Sequence, residues 1–162
     1  MFKYIRRVAL LLLVALSSPA FATIQYSTAQ RNANVTNIVT LLGATGYLMI
    51  LTGSQPASVA TVDSNTEIVD LPLSATAGTV SGGVLTFNPI TSENAVAMGT
   101  AGHWLLCNTS VVADCVAASS TTRVAQGSVA VSGGDLNFAG GVSFVVGETI
   151  SVPSFSVTAN GA

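Results

Sequence analysis

The sequence predicts a mainly β protein, a jelly-roll-like antiparallel β-sandwich with one α-helix at its N-terminal end. Three observations carry that expectation. Short apolar runs rich in Val, Ile, Leu and Phe recur along the chain, separated by Gly, Ser, Asn and Pro turn signals. A single stretch has helical periodicity. Charged residues make up 7% of the chain, against roughly 25% in ordinary soluble domains. Disorder would share the low charge, but not so many alternating β-formers.

The first 22 residues set the compartment. Lys3, Arg6 and Arg7 precede an apolar run from Val8 to Leu16, and the segment closes on Ala20-Phe21-Ala22. That order is a secretory signal peptide cut between Ala22 and Thr23. The run is shorter than the roughly 20 residues a bilayer span requires, so no stable membrane span is expected after cleavage. Residues 23–162 then form a single β-sandwich domain, exported to the periplasm, the cell surface or the medium.

The helix is expected over Ser27 to Leu42. Ser27 or Thr28 can cap it, Ala29, Val35, Ile38, Val39, Leu41 and Leu42 form an apolar stripe, and Gly43 is placed to stop it. Tyr47 to Leu51 reads as a strand closed by Gly53 and Pro56. Glu67 to Ser74 follows as a second, with Pro72 marking an edge or a bulge. Ser81-Gly82-Gly83 is a turn into a strand from Val84 to Phe87, which Asn88-Pro89 ends. Gly102 introduces His103 to Cys107. Val124, Val129 and Val131 mark the next strand, turned by Ser132 to Asp135. Glu148 to Ala159 closes the chain, with Ile150, Val152, Phe155 and Val157 apolar.

Charge excludes one class of partner. After cleavage the cations are Arg31 and Arg123 alone, set against seven carboxylates, for a net charge of −5. A chain without lysine cannot neutralise a phosphate backbone, so no nucleic-acid binding is expected. Edge lysines also discourage sheets from joining edge to edge, and that deterrent is missing. Self-association, or assembly with other structural proteins, is the expected mode of partnership.

Few residues point to chemistry. Cys107 and Cys115 are the two cysteines, and in an oxidising compartment they are expected to pair. Closing so short a loop stabilises by roughly 2–3 kcal/mol in the chain-entropy treatment. Their spacing is not Cys-x-x-Cys, and the single His103 cannot complete a zinc site. No Gly-x-Ser-x-Gly elbow accompanies His103, which reads as a strand residue at a sheet edge. Asp63, Glu67 and Asp70 lack a calcium-loop spacing. No catalytic residue, metal site or cofactor is therefore expected. Trp104 reads as a core residue first and as a possible ligand contact second.

Several short motifs follow one another along the chain: Tyr26-Ser27-Thr28-Ala29, Arg31-Asn32, Gly53-Ser54-Gln55-Pro56 and Gly82-Gly83-Val84-Leu85-Thr86-Phe87. Trp104, Gly127-Ser128-Val129, Gly134-Asp135-Leu136-Asn137 and Val152-Pro153-Ser154-Phe155-Ser156-Val157 complete the series. In this order they resemble a family of small structural proteins of tailed-bacteriophage virions, of decoration or fibre type. The chain departs from that family in its signal peptide. It also carries about ten extra residues around Val111 to Ser120, which hold Cys115. The resemblance implies a non-enzymatic assembly subunit, here exported, with contacts through its edges and the segment near Thr23 to Gln25. An exported module that binds glycan or a surface polymer, through Trp104 and the loop between the cysteines, is the alternative. N-terminal sequencing of the exported protein is expected to begin at Thr23; an intact Met1 would refute the leader.

Overall fold

The computed structural model describes residues 25–118 and 121–159. The leader and its cleavage point at Ala22 and Thr23 lie outside the described residues. The elements are α1 (Thr28–Leu42), β1 (Tyr47–Thr52), β2 (Glu67–Pro72), β3 (Gly78–Ser81), β4 (Val84–Phe87), β5 (Glu93–Asn94) and β6 (Gly99–Cys107). They continue through α2 (Val112–Val116), β7 (Arg123–Ala130), β8 (Leu136–Asn137), β9 (Ser143–Phe144), β10 (Thr149–Ile150) and β11 (Ser156–Thr158). The chain is mainly β, with the expected helix and a second, one-turn helix inside the extra segment.

Local chemistry sets the ends of α1. Ser27 Oγ accepts from the Gln30 N–H at 3.2 Å, and Gly43 turns at φ 61° while its N–H reaches the Val39 carbonyl at 3.1 Å. Val35 and Leu42 are buried, and Ile38 and Val39 pack partly against the core. Leu41, expected on the same stripe, stands exposed.

Most of the strands join one curled, mixed sheet. Its order is β2-β1-β6-β7-β8, with β9 paired to the first residues of β6. Pro72 closes β2 at the sheet's edge, as its missing N–H requires. The pairs are antiparallel except β7 with β8, where Val129 faces Leu136 and Ala130 faces Asn137 in parallel. That departs from the antiparallel expectation, and Asp135 is the cause. Its carboxylate takes both the N–H and the hydroxyl of Ser128 at 2.8 Å, so the chain loops round Gly133 and returns alongside β7. A separate three-stranded sheet runs β11-β4-β3, and β10 pairs with β5.

Core residues from these sheets and α1 meet in one apolar cluster. It includes Leu48, Ile50, Ile68, Leu85, Trp104, Leu106 and Phe155. Phe155 stacks on Phe87 with centroids 4.9 Å apart and meets Trp104 edge-on at 5.1 Å. The closing segment is not one strand: β10 and β11 are separated around Pro153, yet Ile150, Val152 and Phe155 are buried as expected. Sequence reading also missed β3, β5, β8 and β9, and began β6 four residues late.

Trp104 lies over Gly127, its cross-strand partner. A Cβ at Gly127 would collide with the six-membered ring of the indole. Gly127→Ala is therefore expected to destabilise by about 1–3 kcal/mol in chemical unfolding, opposite in sign to the usual gain of Ala over Gly in a strand.

Candidate functional site

Strand β6 is buried on both faces. Trp104 and Leu106 point into the main core, whereas Leu105 and Cys107 join Met49, Leu51 and Cys115 in a second cluster on the opposite side. Two segments cover that side, the loop between β1 and β2 and the segment bearing α2. The cysteines form a disulfide with Cα atoms 6.0 Å apart, which fastens α2 to the end of β6. Both cysteines are fully buried.

Polar side chains hold the loop down. His103 belongs to this second face and is wholly buried in the centre of the sheet, not at an edge as its sequence context suggested. Its Nδ1 lies 3.1 Å from the Gly53 carbonyl oxygen and its Nε2 lies 2.6 Å from Asp63 Oδ2. Asp63 Oδ1 accepts from the N–H and the side-chain amide of Asn65, at 3.0 and 2.8 Å. Arg123 donates from Nε to the Cys115 carbonyl at 2.9 Å and from Nη1 to the Thr61 carbonyl at 3.0 Å. Gln126 Nε2 reaches the Pro56 carbonyl at 2.7 Å. The loop is thus tied to β6 and β7 at Gly53, Pro56, Thr61 and Asp63.

The proton inventory of the histidine follows from its neighbours. A main-chain carbonyl only accepts, so Nδ1 carries hydrogen. Burial, the strongest influence on Asp63, pushes its carboxyl up. The Asn65 N–H and the His103 bond and charge outweigh burial and hold it below the ordinary carboxylate value. Nε2 and Oδ2 thus share a short hydrogen bond in the dry space beneath the loop. Neither ring nitrogen meets a serine hydroxyl. A carboxylate beside His103 was invisible in the sequence, since 40 residues separate them.

Trp104 is 4% exposed, with Gly127 beneath its ring and Phe155 at its edge, so it presents no open face for stacking a ligand. It does form the floor of a cleft of about 450 Å³. Ala125 and Gln126 of β7 wall one side, and Ser156, Val157 and Thr158 of β11 wall the other. Trp104 Nε1 is buried and has no acceptor among the described residues. Of the sequence-predicted site residues, Cys107 and Cys115 come together, Trp104 sits apart from them on the opposite face, and Ala22 and Thr23 are outside the described residues. Among the described residues no cluster of three or more His, Cys, Asp or Glu could hold a metal ion. No helix among them is long and apolar enough to cross a membrane.

Neither a protein-family model, nor a curated protein, nor a solved structure matches the chain.

The buried carboxylate has a pH signature. Asp63 titrates lower in the folded than in the unfolded chain, so its contribution is full above the ordinary carboxylate range, about pH 4. It is lost as pH falls through the folded value. In unfolding midpoints measured against pH, Asp63→Asn is expected to flatten this acid limb. His103→Leu, which strips a buried carboxylate of its partner, is expected to cost about 3–5 kcal/mol at neutral pH. An unchanged acid limb in Asp63→Asn would sink the pairing.

Proposed function

We propose that this chain is a non-enzymatic structural subunit, related to tailed-phage virion proteins, exported to the periplasm or cell surface and assembling through open strand edges. One observation carries the reading: two strands are left unpaired along facing edges. Among the described residues β7 has a strand partner on its outer side only at Val129 and Ala130, and Asp135 takes the outward Ser128 N–H. β11 pairs with β4 and, among the described residues, with nothing on its other side. Strand β2, by contrast, receives the N–H groups of Val96 and Thr91 on Ile68 and Pro72, and α1 packs beside β3, β4 and part of β7.

Three features support the reading. No lysine guards the open edges, and lysine is the usual deterrent to edge pairing. The virion-like motifs fall on turns and strand starts, among them the β3–β4 hairpin, the β7–β8 loop and the approach to β11. The sheets then read as the two layers of a jelly-roll-like sandwich, with the β11-β4-β3 sheet as the smaller layer. A buried disulfide suits an oxidising compartment. A further apolar ridge stands in solvent where the β9–β10 turn meets the start of β6. Val96, Met98, Val145 and Val146 are each at least 60% exposed there, a second contact surface of the kind assemblies use. The glycan-binding alternative lacks a comparable observation, because Trp104 is inside.

Purified mature protein is expected to sediment as species larger than a monomer, growing with concentration. A monomer across a wide concentration range, from dilute to near-saturated, would end the assembly reading.

A further inference from the structure

We infer that the cleft between β7 and β11 is an acceptor slot for one added strand, supplied by Thr23 to Tyr26 of a second copy of this chain. The inference rests on the assembly reading and on cleavage before Thr23.

Backbone direction on both walls suits a strand. The Ser128 N–H points away from β6, since Asp135 Oδ2 takes it at 2.8 Å. In an antiparallel ladder, residues two apart direct their backbone groups the same way. Gln126 therefore turns its N–H and carbonyl outward, over the cleft. On the other wall, Phe155 gives its carbonyl to the Phe87 N–H at 3.0 Å, and the Ala159 N–H reaches the Gly83 carbonyl at 2.8 Å. Phe155, Val157 and Ala159 thus face β4, which leaves Ser156 and Thr158 facing the cleft. An extended chain laid between them would hydrogen-bond to both walls.

The floor of the cleft is the Trp104 ring, whose Nε1 is itself buried against the Gly127 backbone.

The occupant follows from where α1 starts. The Gly83 N–H donates to Asn32 Oδ1 at 2.7 Å, and the Gly83 carbonyl holds Ala159, so the first turn of the helix stands beside the end of β11. The residues before it leave the molecule next to the slot. Thr23-Ile24-Gln25-Tyr26 has no charged side chain, its one charge being the α-amino group that cleavage leaves on Thr23, and it is rich in β-branched and aromatic side chains, as an added strand requires. Extended, it spans about 13 Å, the scale of β4 and β11. Gln25 and Tyr26 are exposed and pair with no strand of their own molecule.

The test uses full-length mature chains. The native cysteines are both in the disulfide, so introduced cysteines report alone. Ile24→Cys in one preparation and Ser156→Cys in a second, tagged one are mixed under mild oxidant. A mixed cross-linked dimer is the expected product. A companion variant lacking residues 23–26 but keeping Ser27 is expected to sediment as a monomer with unchanged circular dichroism and thermal midpoint. No mixed dimer, or a double variant that bridges only within one chain, overturns the slot. If the shortened chain assembles as the intact one does, the slot fails while the assembly reading stands. If the intact chain does not assemble, both fail.

Discussion

His103, Trp104, Leu105, Leu106 and Cys107 are all withdrawn from water, although neighbouring residues on a strand point to opposite faces. Strand β6 therefore needs a cover on each side, and much of the remaining structure supplies one or the other. The main core brings α1 and the β11-β4-β3 sheet to the Trp104 and Leu106 face. The β1–β2 loop and the α2 segment are drawn over the Leu105 and Cys107 face. Between them the sheet changes alignment: its register with β1 shifts between Leu51 and Thr52, so Ala101 joins the main core although His103 does not. Gly102 sits at that shift because a Cβ there would collide with the Gly53 carbonyl.

The two covers are built from different forces. The main face is aliphatic and aromatic packing, which is directionless and tolerant of small movements. The second face is smaller and relies on directed bonds: one disulfide, one buried histidine–aspartate hydrogen bond, an arginine and a glutamine reaching main-chain carbonyls. A loop of polar and small residues cannot bury enough apolar area to stay down by itself. Carbonyl acceptors fixed by charged donors in a dry setting hold it. Arg31 and Arg123 are the only basic residues after position 22, and Arg123 is committed to this task, so the shortage of cations outside is partly a consequence of their use inside.

Local signals were legible in the sequence. The cap at Ser27, the stop at Gly43, the turn at Gly82-Gly83 and the cysteine pair each depend on residues a few positions apart. The His103–Asp63 pair was not legible, because nothing local links a histidine to a carboxylate 40 positions away. Nor was the parallel return of β8, where Asp135 overrides the hairpin that its glycines suggest. β3 and β5 escaped notice because short strands of Gly, Thr, Glu and Asn carry too little alternation to read. Trp104 as a core residue was readable; its indole N–H at the floor of a cleft was not.

The ties across the second face join residues far apart in sequence: His103 to Gly53 spans 50 positions and Gln126 to Pro56 spans 70. Strand β1 likewise waits for β6 before it can pair on that side. Such contacts form only after long loops have closed, and topologies dominated by them fold slowly. The N-terminal half of a nascent chain therefore has little to fold onto until β7 has been made. The slow step of folding is then the docking of β6 and β7 onto β1, and both covers wait for it.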